Sequence, residues 1–241
     1  MNRPVALITG GGKRMGRQIA IALARKGFDL AVNYHKSSSG AHQTVKLIRA
    51  IGSRAIALKA DITDRSQVRM LIENVMKHFK TIDVLINNSG VFITASLAKT
   101  TDRLWQQALD VNLKGPFLTS QIVSRTMLKQ KRGRIINIAS LGGIKAWSNH
   151  LAYSVSKAGL IMLTRCLAKD LAPHIMVNAV APGTIIFPDE ENPRQRHVAR
   201  TSIPLRRYGN PSDISDLVIY LATTANYITG QTISVDGGRS V

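Results

Sequence analysis

The sequence predicts an α/β protein built on a doubly wound parallel sheet with helices on both faces. Short apolar runs rich in β-branched residues alternate along the chain with stretches of helical pattern, which is the order of repeated βαβ units. The runs are nearly continuous in apolar residues, which indicates strands buried on both sides. A glycine-rich turn directly follows the first run, as is typical of such sheets.

Seven strands are predicted, in chain order, over residues 5–9, 29–33, 55–58, 84–87, 134–139, 176–180 and 232–235. The stretches between them are mostly helical in pattern, and no fixed-period repeat or linker interrupts them. The one candidate flexible element is 183–204, which is rich in proline and charge and has no clear period. We predict that this segment forms a lid over a substrate.

Length and composition favour a single domain spanning residues 1–241. A chain of 241 residues can bury one sizeable core without a second domain. Its 44% hydrophobic and 20% charged residues are ordinary for a globular protein and exclude the disordered and fibrous classes.

The formal net charge of +19 is the one unusual feature of the composition. A field of that size attracts anions, such as a phosphorylated cofactor or an acidic partner. Nucleic acid is also anionic, but the basic residues are spread from Arg3 to Arg239, with no clustered tract longer than residues 129–134 and no recognised nucleic-acid motif. We therefore predict no specific nucleic-acid binding.

The single cysteine and the chain start bear on the cellular compartment. Cys166 has no partner for an intramolecular disulfide, so nothing favours secretion, and we predict that it is buried filler in a helix. The first predicted strand begins within four residues of Met1, which leaves no room for a signal peptide, and no apolar run reaches the ~20 residues of a membrane helix. The prediction is a cytoplasmic protein without a membrane span.

A candidate phosphate site follows the first strand. The turn has the sequence Thr9-Gly10-Gly11-Gly12-Lys13-Arg14-Met15-Gly16 and leads into a helical pattern. Glycines let the backbone approach a pyrophosphate, and the helix N-terminus offers unpaired N–H groups and a favourable dipole. At the first βα crossover of a doubly wound sheet, such a turn indicates the Rossmann arrangement for a dinucleotide.

The most specific signal for chemistry is a serine, a tyrosine and a lysine. Tyr153 and Lys157 are four residues apart on a helical stretch and share a face, while Ser140 ends the preceding strand. A free phenol titrates near ~10, so a tyrosine that exchanges a proton at neutral pH needs a cation beside it. Lys157 would supply that charge.

Together these motifs resemble the short-chain dehydrogenase/reductase family over essentially the whole chain. The family's turn has Thr-Gly, three residues, Gly, one residue and Gly, and Thr9, Gly10 and Gly16 match it, but Arg14 replaces the middle glycine. That departure is similar to the pteridine reductase branch, in which a Lys-Arg pair lies in the turn and the arginine reaches a cofactor phosphate. The resemblance implies that Lys13 and Arg14 take those places, with Gly10 and Met15 against the cofactor.

The resemblance also implies NADPH rather than NADH. Members that prefer NAD end the second strand with an acid for the ribose hydroxyl, and that acid would repel a 2′-phosphate. This sequence instead continues from Asn33 with Tyr34-His35-Lys36-Ser37, which are hydrogen-bond donors and a cation suited to a phosphate. Further contacts are implied by short matching motifs, namely Asp61 and Ile62 at the adenine, Asn88, Ser89 and Gly90 beside the cofactor, and Pro182, Gly183 and Thr184 at the nicotinamide amide.

For the reaction, the resemblance implies reduction of a carbonyl or imine by hydride from NADPH, with Tyr153 delivering the proton. Lys157 would also hold the nicotinamide ribose, Ser140 would orient the substrate oxygen, and Asn112 would continue a water-linked proton path. His35, His150 and His197 share no ligand spacing, so we expect them on the surface or in loops and predict no metal.

Several substrates stay open. Phe92 lies where pteridine reductases stack a phenylalanine on the pterin, and Trp147 could line the same pocket, which favours a dihydropterin. The alternative is a 3-oxoacyl-[acyl-carrier-protein] reductase or another ketone reductase, since an acidic carrier protein suits the positive charge. A cofactor-binding sensor and a basic nucleic-acid-associated protein belong to different classes. The intact Ser140, Tyr153 and Lys157 argue against the first, and the missing basic motif argues against the second. The family resemblance favours a homotetramer.

Overall fold

A computed structural model describes residues 3–187 and 198–241. The middle of the predicted lid, and with it His197, lies outside the described residues. Seven parallel strands form one sheet in the order β3-β2-β1-β4-β5-β6-β7. The strands are β1 (Val5–Ile8), β2 (Asp29–Tyr34), β3 (Ala55–Lys59), β4 (Val84–Asn87), β5 (Gly133–Ile138), β6 (Ile175–Pro182) and β7 (Thr232–Val235).

Helices connect the strands and cover both faces of the sheet. Those described are α1 (Arg14–Arg25), α2 (Ser38–Ala50), α3 (Arg65–Phe79), α4 (Asp102–Leu109), α5 (Gly115–Lys129), α6 (Leu151–Leu171) and α7 (Pro211–Thr223). A single π-helical turn, Asp110–Lys114, joins α4 to α5. None of the described helices is both long and apolar enough to cross a membrane.

Two hydrophobic cores lie on opposite faces of the sheet because successive side chains of a strand point to opposite sides. In β1, Ala6 and Ile8 belong to the core formed with α1, α2 and α7. Val5 and Leu7 belong to the core formed with α3, α5 and α6. The fold class predicted from the sequence, a doubly wound parallel sheet with helices on both faces, is therefore confirmed.

The strand order reverses between β1 and β4, and this position fixes where a ligand can bind. β1 pairs with β2 on one side and with β4 on the other, so the connections after β1 and β4 leave the sheet in opposite directions. A crevice opens at the carboxyl ends of strands at such a switch point. The glycine-rich turn after β1 and the Asn88 segment after β4 meet there.

Two details differ from the sequence prediction. The strands at the sheet edges, β3 and β7, are mostly half-buried rather than buried on both faces, because each has a strand neighbour on one side alone. Cys166, predicted to be buried filler, is exposed on α6. The outer face of α6 also carries apolar residues, so the apolar sequence around Cys166 did not indicate that its side chain is buried.

Candidate active site

The turns after β1 and β4 are joined by side-chain hydrogen bonds. The Thr9 hydroxyl oxygen accepts from the backbone N–H groups of Asn88 and Ser89, each at 3.0 Å. In return, the Asn88 amide nitrogen donates to the carbonyls of Thr9 at 2.9 Å and Gly10 at 3.1 Å. The two segments predicted to contact a cofactor therefore form one rigid floor at the switch point.

Glycine is required on this floor because the backbone comes too close for side chains. Gly10 has a φ of 64°, and a Cβ there would lie 2.8 Å from the Ser89 hydroxyl oxygen. A Cβ on Gly16 would collide with the Gly10 carbonyl oxygen and would lie 2.6 Å from the Asn88 amide nitrogen. The turn is thus a cradle that side chains would fill, as a bound pyrophosphate requires.

Arg14, in the place of the family's middle glycine, has a backbone conformation that favours glycine. Its φ of 48° lies in the left-handed region, which costs an L-residue roughly 1–2 kcal/mol. Helix α1 begins at this residue, and both Lys13 and Arg14 line the cavity above the turn. The two cations therefore lie at the helix N-terminus, where the dipole and their own charges both favour an anion.

The residues after β2 form the far end of the same cavity. Tyr34, His35, Lys36 and Ser37 all line it, with His35 and Lys36 exposed. The His35 Nδ1 atom lies 3.7 Å from an oxygen of Asp61, whose other oxygen accepts from Thr63. These donors stand where the sequence predicted recognition of a 2′-phosphate.

The cavity has a volume of about 1980 Å³ and extends from the glycine-rich turn after β1, called the phosphate turn from here on, to Tyr153. The structure brings to its wall every residue predicted to contact cofactor or substrate: Gly10, Lys13, Arg14, Met15, Tyr34, His35, Lys36, Ser37, Asp61, Ile62, Asn88, Ser89, Gly90, Phe92, Ser140, Trp147, Tyr153, Lys157, Pro182, Gly183 and Thr184. Asn112 is the one predicted site residue that does not line it. A space of this size accommodates a dinucleotide together with a substrate.

Ser140, Tyr153 and Lys157 converge on one wall of the cavity. Ser140 lies just past the end of β5, and its hydroxyl oxygen accepts from the Gly142 N–H at 3.1 Å. Tyr153 and Lys157 project from consecutive turns of α6, and both are buried. The Lys157 ammonium donates to the Ile138 carbonyl at 2.7 Å, which holds the side chain against β5.

Burial dominates the titration of this pair. It raises the pKa of the Tyr153 phenol, while the hydrogen bond with Ser140 acts in the opposite direction. Burial also lowers the pKa of Lys157 from 10.5 to about 8. The sequence predicted that the charge of Lys157 would stabilise the phenolate of Tyr153. In the structure, the hydrogen bond that favours the phenolate comes from Ser140.

Asn112 lies behind the cavity wall and joins two of its segments by hydrogen bonds. It sits in the π-helical turn between α4 and α5, where its side-chain oxygen accepts from the Val91 N–H at 2.8 Å. Its amide nitrogen donates to the Val91 carbonyl at 3.0 Å and to the Ser156 hydroxyl at 2.9 Å. A buried asparagine therefore fastens the loop after β4 to helix α6.

Four aromatic rings pack together at this wall of the cavity, and we call Phe92, Trp147, His150 and Tyr153 the aromatic cluster. Phe92 meets Tyr153 edge to face at a centroid distance of 4.7 Å, and Trp147 stacks on Tyr153 at 6.1 Å. Phe92 is nevertheless 60% exposed, because one side of its ring faces the open cavity. That free surface is available to a flat or apolar ligand.

Sequence reasoning missed the role of His150 in this cluster. It lies in a loop as expected, just before α6, but its ring packs 4.7 Å from Phe92 and lines the cavity. Its Nδ1 atom donates to the Ser148 carbonyl at 2.7 Å, so its Nε2 atom accepts from the Thr94 hydroxyl at 3.2 Å. The signal that could have found it is its position three residues before Tyr153, within one turn of the phenol.

Other cavity residues were also missed, among them Thr94, Arg103, Ile185 and Arg239. They come from four segments of the chain and carry no shared motif. In the part of the chain that the structure describes, no group of three or more histidine, cysteine or acidic residues could hold a metal ion.

Comparison with known proteins agrees with this geometry. A family model described as enoyl-(acyl carrier protein) reductase matches residues 12–240. The chain is 43% identical over 237 residues to a 3-oxoacyl-[acyl-carrier-protein] reductase of Synechocystis sp., covering 97% of this chain and 96% of that protein. It is 40% identical over 237 residues to the corresponding reductase of Staphylococcus aureus, with the same coverage. Among solved structures, a blue fluorescent protein from a metagenomic library in complex with NADPH has a TM-score of 0.92 at 33% identity, covering 100% of this chain and 99% of that one.

A switch-point cavity with a phosphate cradle at one end and a buried tyrosine and lysine at the other defines an NAD(P)-dependent oxidoreductase. The matches extend over nearly the whole chain and make the assignment more specific. The chain belongs to the short-chain dehydrogenase/reductase family. The relatives from Synechocystis sp. and Staphylococcus aureus are 3-oxoacyl-[acyl-carrier-protein] reductases, so the predicted resemblance is supported for the family and not for the pteridine reductase branch.

Proposed function

We propose that this enzyme uses NADPH to reduce the ketone of a 3-oxoacyl thioester carried on an acyl carrier protein. The observation that carries the proposal is the convergence of Ser140, Tyr153 and Lys157 on the wall of a cavity that begins at the phosphate turn. The relatives named 3-oxoacyl-[acyl-carrier-protein] reductase support the substrate class. The 3-oxoacyl thioester, the alternative substrate predicted from the sequence, therefore replaces the dihydropterin as the leading candidate.

The residues present fit a nicotinamide dinucleotide. The cradle of Gly10 and Gly16 would take the pyrophosphate, and Lys13 and Arg14 would neutralise its charge. The donors after β2 would bind the 2′-phosphate of NADPH, and Thr184 would lie at the nicotinamide amide. The bound cofactor supplies the hydride.

The protein groups position the substrate and move one proton. Ser140 orients the substrate oxygen, and Tyr153 donates its phenolic proton to that oxygen, which becomes the hydroxyl of the product. The Ser140 hydrogen bond and the cationic form of Lys157, one helical turn away, would both favour the phenolate left behind, and Lys157 would also hold the cofactor ribose. Asn112 is a positioning residue, since it fixes the loop after β4 against α6.

The charge of the chain also suits a carrier-bound substrate. A net charge of +19 attracts an acidic carrier protein and raises the rate of encounter at low salt. An acidic carrier protein therefore accounts for the positive charge without a nucleic-acid partner.

A dihydropterin is the second candidate, and the aromatic cluster is the observation that favours it. The 60% exposed ring of Phe92 faces the cavity beside Tyr153, so a flat heteroaromatic ligand could stack there. Such stacking contributes roughly 0.5–1.5 kcal/mol beyond area burial. The acyl chain of a thioester would pack on the same face of the Phe92 ring, although the chain is not flat.

Oxidation of NADPH measured side by side with an acetoacetyl thioester, dihydrobiopterin and dihydrofolate tests the proposal. We expect the highest kcat/KM with the thioester, and a further rise when it is attached to an acidic carrier protein. A dihydropterin that is reduced efficiently while the thioester is not would reverse the order of the two candidates. Absence of turnover with all three would count against reduction as the activity.

A further inference from the structure

A single arginine from the end of the chain reaches the cavity wall. Arg239 follows β7 and lines the cavity, and its guanidinium donates to the Thr184 hydroxyl at 3.0 Å. Thr184 is the residue expected at the nicotinamide amide, so Arg239 lies at the reactive end of the cavity. The two residues are 55 positions apart in sequence, and neither the glycine turn nor the catalytic motif involves Arg239.

The backbone around Arg239 is held from two sides. The Lys145 ammonium donates to the Arg239 carbonyl at 2.9 Å. Before it, Gly237 and Gly238 both adopt positive φ values, and a Cβ on Gly238 would lie 3.0 Å from the Pro204 ring. The Leu205 N–H donates to the Gly237 carbonyl at 3.1 Å. A turn this constrained directs the Arg239 side chain.

The charge of Arg239 is not neutralised within the described chain. There its guanidinium makes the one hydrogen bond to Thr184 and no ion pair with a carboxylate. The neighbouring acid, Asp236, accepts instead from the Gly238 N–H at 2.9 Å. A guanidinium carries five N–H donors, so most of those on Arg239 remain available to a ligand.

Arg239 lies on the substrate side of the cavity. Lys145, which binds its carbonyl, comes two residues before Trp147 of the aromatic cluster. The cations expected at the cofactor phosphates, Lys13, Arg14 and Lys36, are supplied by the segments after β1 and β2. The arginine after β7 is therefore an additional cation beside the reacting centre.

We propose that Arg239 binds a carboxylate on the substrate and so determines specificity. This inference rests on the proposed reduction of a 3-oxo compound and concerns a carboxylate held close to the ketone, where a carrier-bound substrate has its thioester. Arginine suits the task because its planar fork makes two charge-assisted hydrogen bonds to such a group. The Thr184 hydroxyl holds the fork in place while leaving its other donors exposed to the cavity.

Two 3-oxo compounds of nearly equal shape test this proposal: acetoacetate, which carries a carboxylate, and acetoacetamide, which is neutral. With NADPH as cofactor, we expect the wild-type enzyme to prefer acetoacetate in kcat/KM, and Arg239→Gln to lower that value about tenfold or more. Glutamine can still donate to Thr184 but carries no charge, so acetoacetamide should be reduced as before. Arg239→Lys should keep part of the preference.

Controls distinguish the anion of the substrate from that of the cofactor. Arg206→Gln removes an exposed arginine of the neighbouring segment that does not line the cavity, and it should leave both substrates unaffected. If Arg239→Gln raises the KM for NADPH and not that for acetoacetate, the guanidinium serves the cofactor and the proposal is wrong. Equal losses with acetoacetate and acetoacetamide would also overturn it.

A binding measurement keeps the test independent of turnover. Calorimetric titration of the NADP-loaded enzyme with acetoacetate should give an affinity that Arg239→Gln weakens about tenfold and Arg206→Gln leaves unchanged. Equal acetoacetate affinity in the wild type and Arg239→Gln would sink the proposal. Loss of binding in Arg239→Gln without reduction by the wild type would support the anion site while contradicting the proposed function.

Discussion

The Tyr153 phenol is enclosed on one side by aromatic rings and on the other by Ser140 and β5. This enclosure keeps water away from the phenol, which raises its pKa, while the hydrogen bond with Ser140 acts in the opposite direction. We propose that this phenol donates the proton, and single substitutions can test it.

Tyr153→Phe should remove most of the turnover and leave cofactor binding nearly intact. The change deletes the hydroxyl that donates the proton and keeps the ring that packs against Phe92 and Trp147. General acid catalysis contributes typically ~10²–10⁴-fold in rate, so kcat should fall by about that factor. Steady-state kinetics and NADPH titration measure the two quantities. Tyr227→Phe, at a fully exposed tyrosine, is the control, and a Tyr153→Phe enzyme that keeps more than about a tenth of kcat would exclude this acid.

Lys157 should make stability depend on pH in a direction that the structure fixes. Its pKa is about 8 in the folded protein and returns to about 10.5 on unfolding. Between these values the unfolded state binds more protons, so the free energy of unfolding rises as pH rises. The free energy of unfolding of the wild type should rise relative to that of Lys157→Met by about 1.5 kcal/mol from about pH 8 to about pH 9.5.

Urea unfolding without added cofactor checks this difference at several pH values. The window ends below the titration of Tyr153, because burial raises the pKa of that phenol above its ordinary value. Lys77→Met, at an exposed lysine of α3, should remain parallel to the wild type throughout. Parallel behaviour of Lys157→Met as well would show that the ammonium keeps its ordinary affinity for protons.

For single residues, the sequence predicted the members of the candidate site where they share a local pattern. Tyr153 and Lys157 are linked by helical periodicity, and the turn residues by glycine spacing, so their convergence could be expected. Arg239 could not be predicted in the same way, and the position of His150 near Tyr153 did not by itself indicate a place in the cavity wall. Their places depend on contacts with Thr94 and Thr184, which long-range packing brings close.

Among the elements, the segment joining β2 to α2 is the one that we expect to govern the choice of cofactor. It presents Tyr34, His35, Lys36 and Ser37 to the cavity, where a member that prefers NAD would present an acid. The strand end holds this segment near the phosphate turn, since the Gly11 N–H donates to the Asn33 carbonyl at 3.0 Å. The sequence fragment and the element that positions it thus support the same preference for NADPH.

Lys36→Ala should reduce this preference. The exposed ammonium would pair with the 2′-phosphate, so its loss should cost about 1.5 kcal/mol, the lower end of the range for a charged hydrogen bond, and should lower kcat/KM for NADPH about tenfold. The value for NADH should change little because NADH lacks the phosphate. Lys77→Ala controls for the loss of one positive charge. Equal use of NADH and NADPH by the wild type would contradict the assignment of this segment.

For the whole molecule, hydrophobic periodicity predicted all seven strands and their parallel arrangement. Strand ends moved by one or two residues, most visibly in β6, which continues to Pro182 beyond the predicted end at residue 180. The half-burial of β3 and β7 could not be predicted, because strand order is decided by which elements pack together and not by any one strand's sequence. Cys166 was mispredicted for a related reason, since the outer face of its helix carries apolar residues.

That outer face bears on the assembly of the molecule. Leu151, Val155 and Met162 project from α6 at helical spacing and are 40%, 41% and 54% exposed, and Phe117 and Leu128 are similarly exposed on α5. We call these five residues the apolar stripe. A second copy of the chain would bury the stripe, as the expected homotetramer requires.

Met162→Glu should therefore dissociate the assembly, because it places a charge in the apolar stripe, where association would bury it without a partner. Light scattering should give a mass of about four times 26.3 kDa for the wild type and a smaller species for the variant. Met70→Glu is a matched control, since this methionine is 53% exposed on α3 and lies outside the stripe. A wild-type mass equal to one chain would refute the tetramer. An unchanged mass for Met162→Glu would instead show that the subunits associate through another surface, leaving the apolar stripe exposed to solvent.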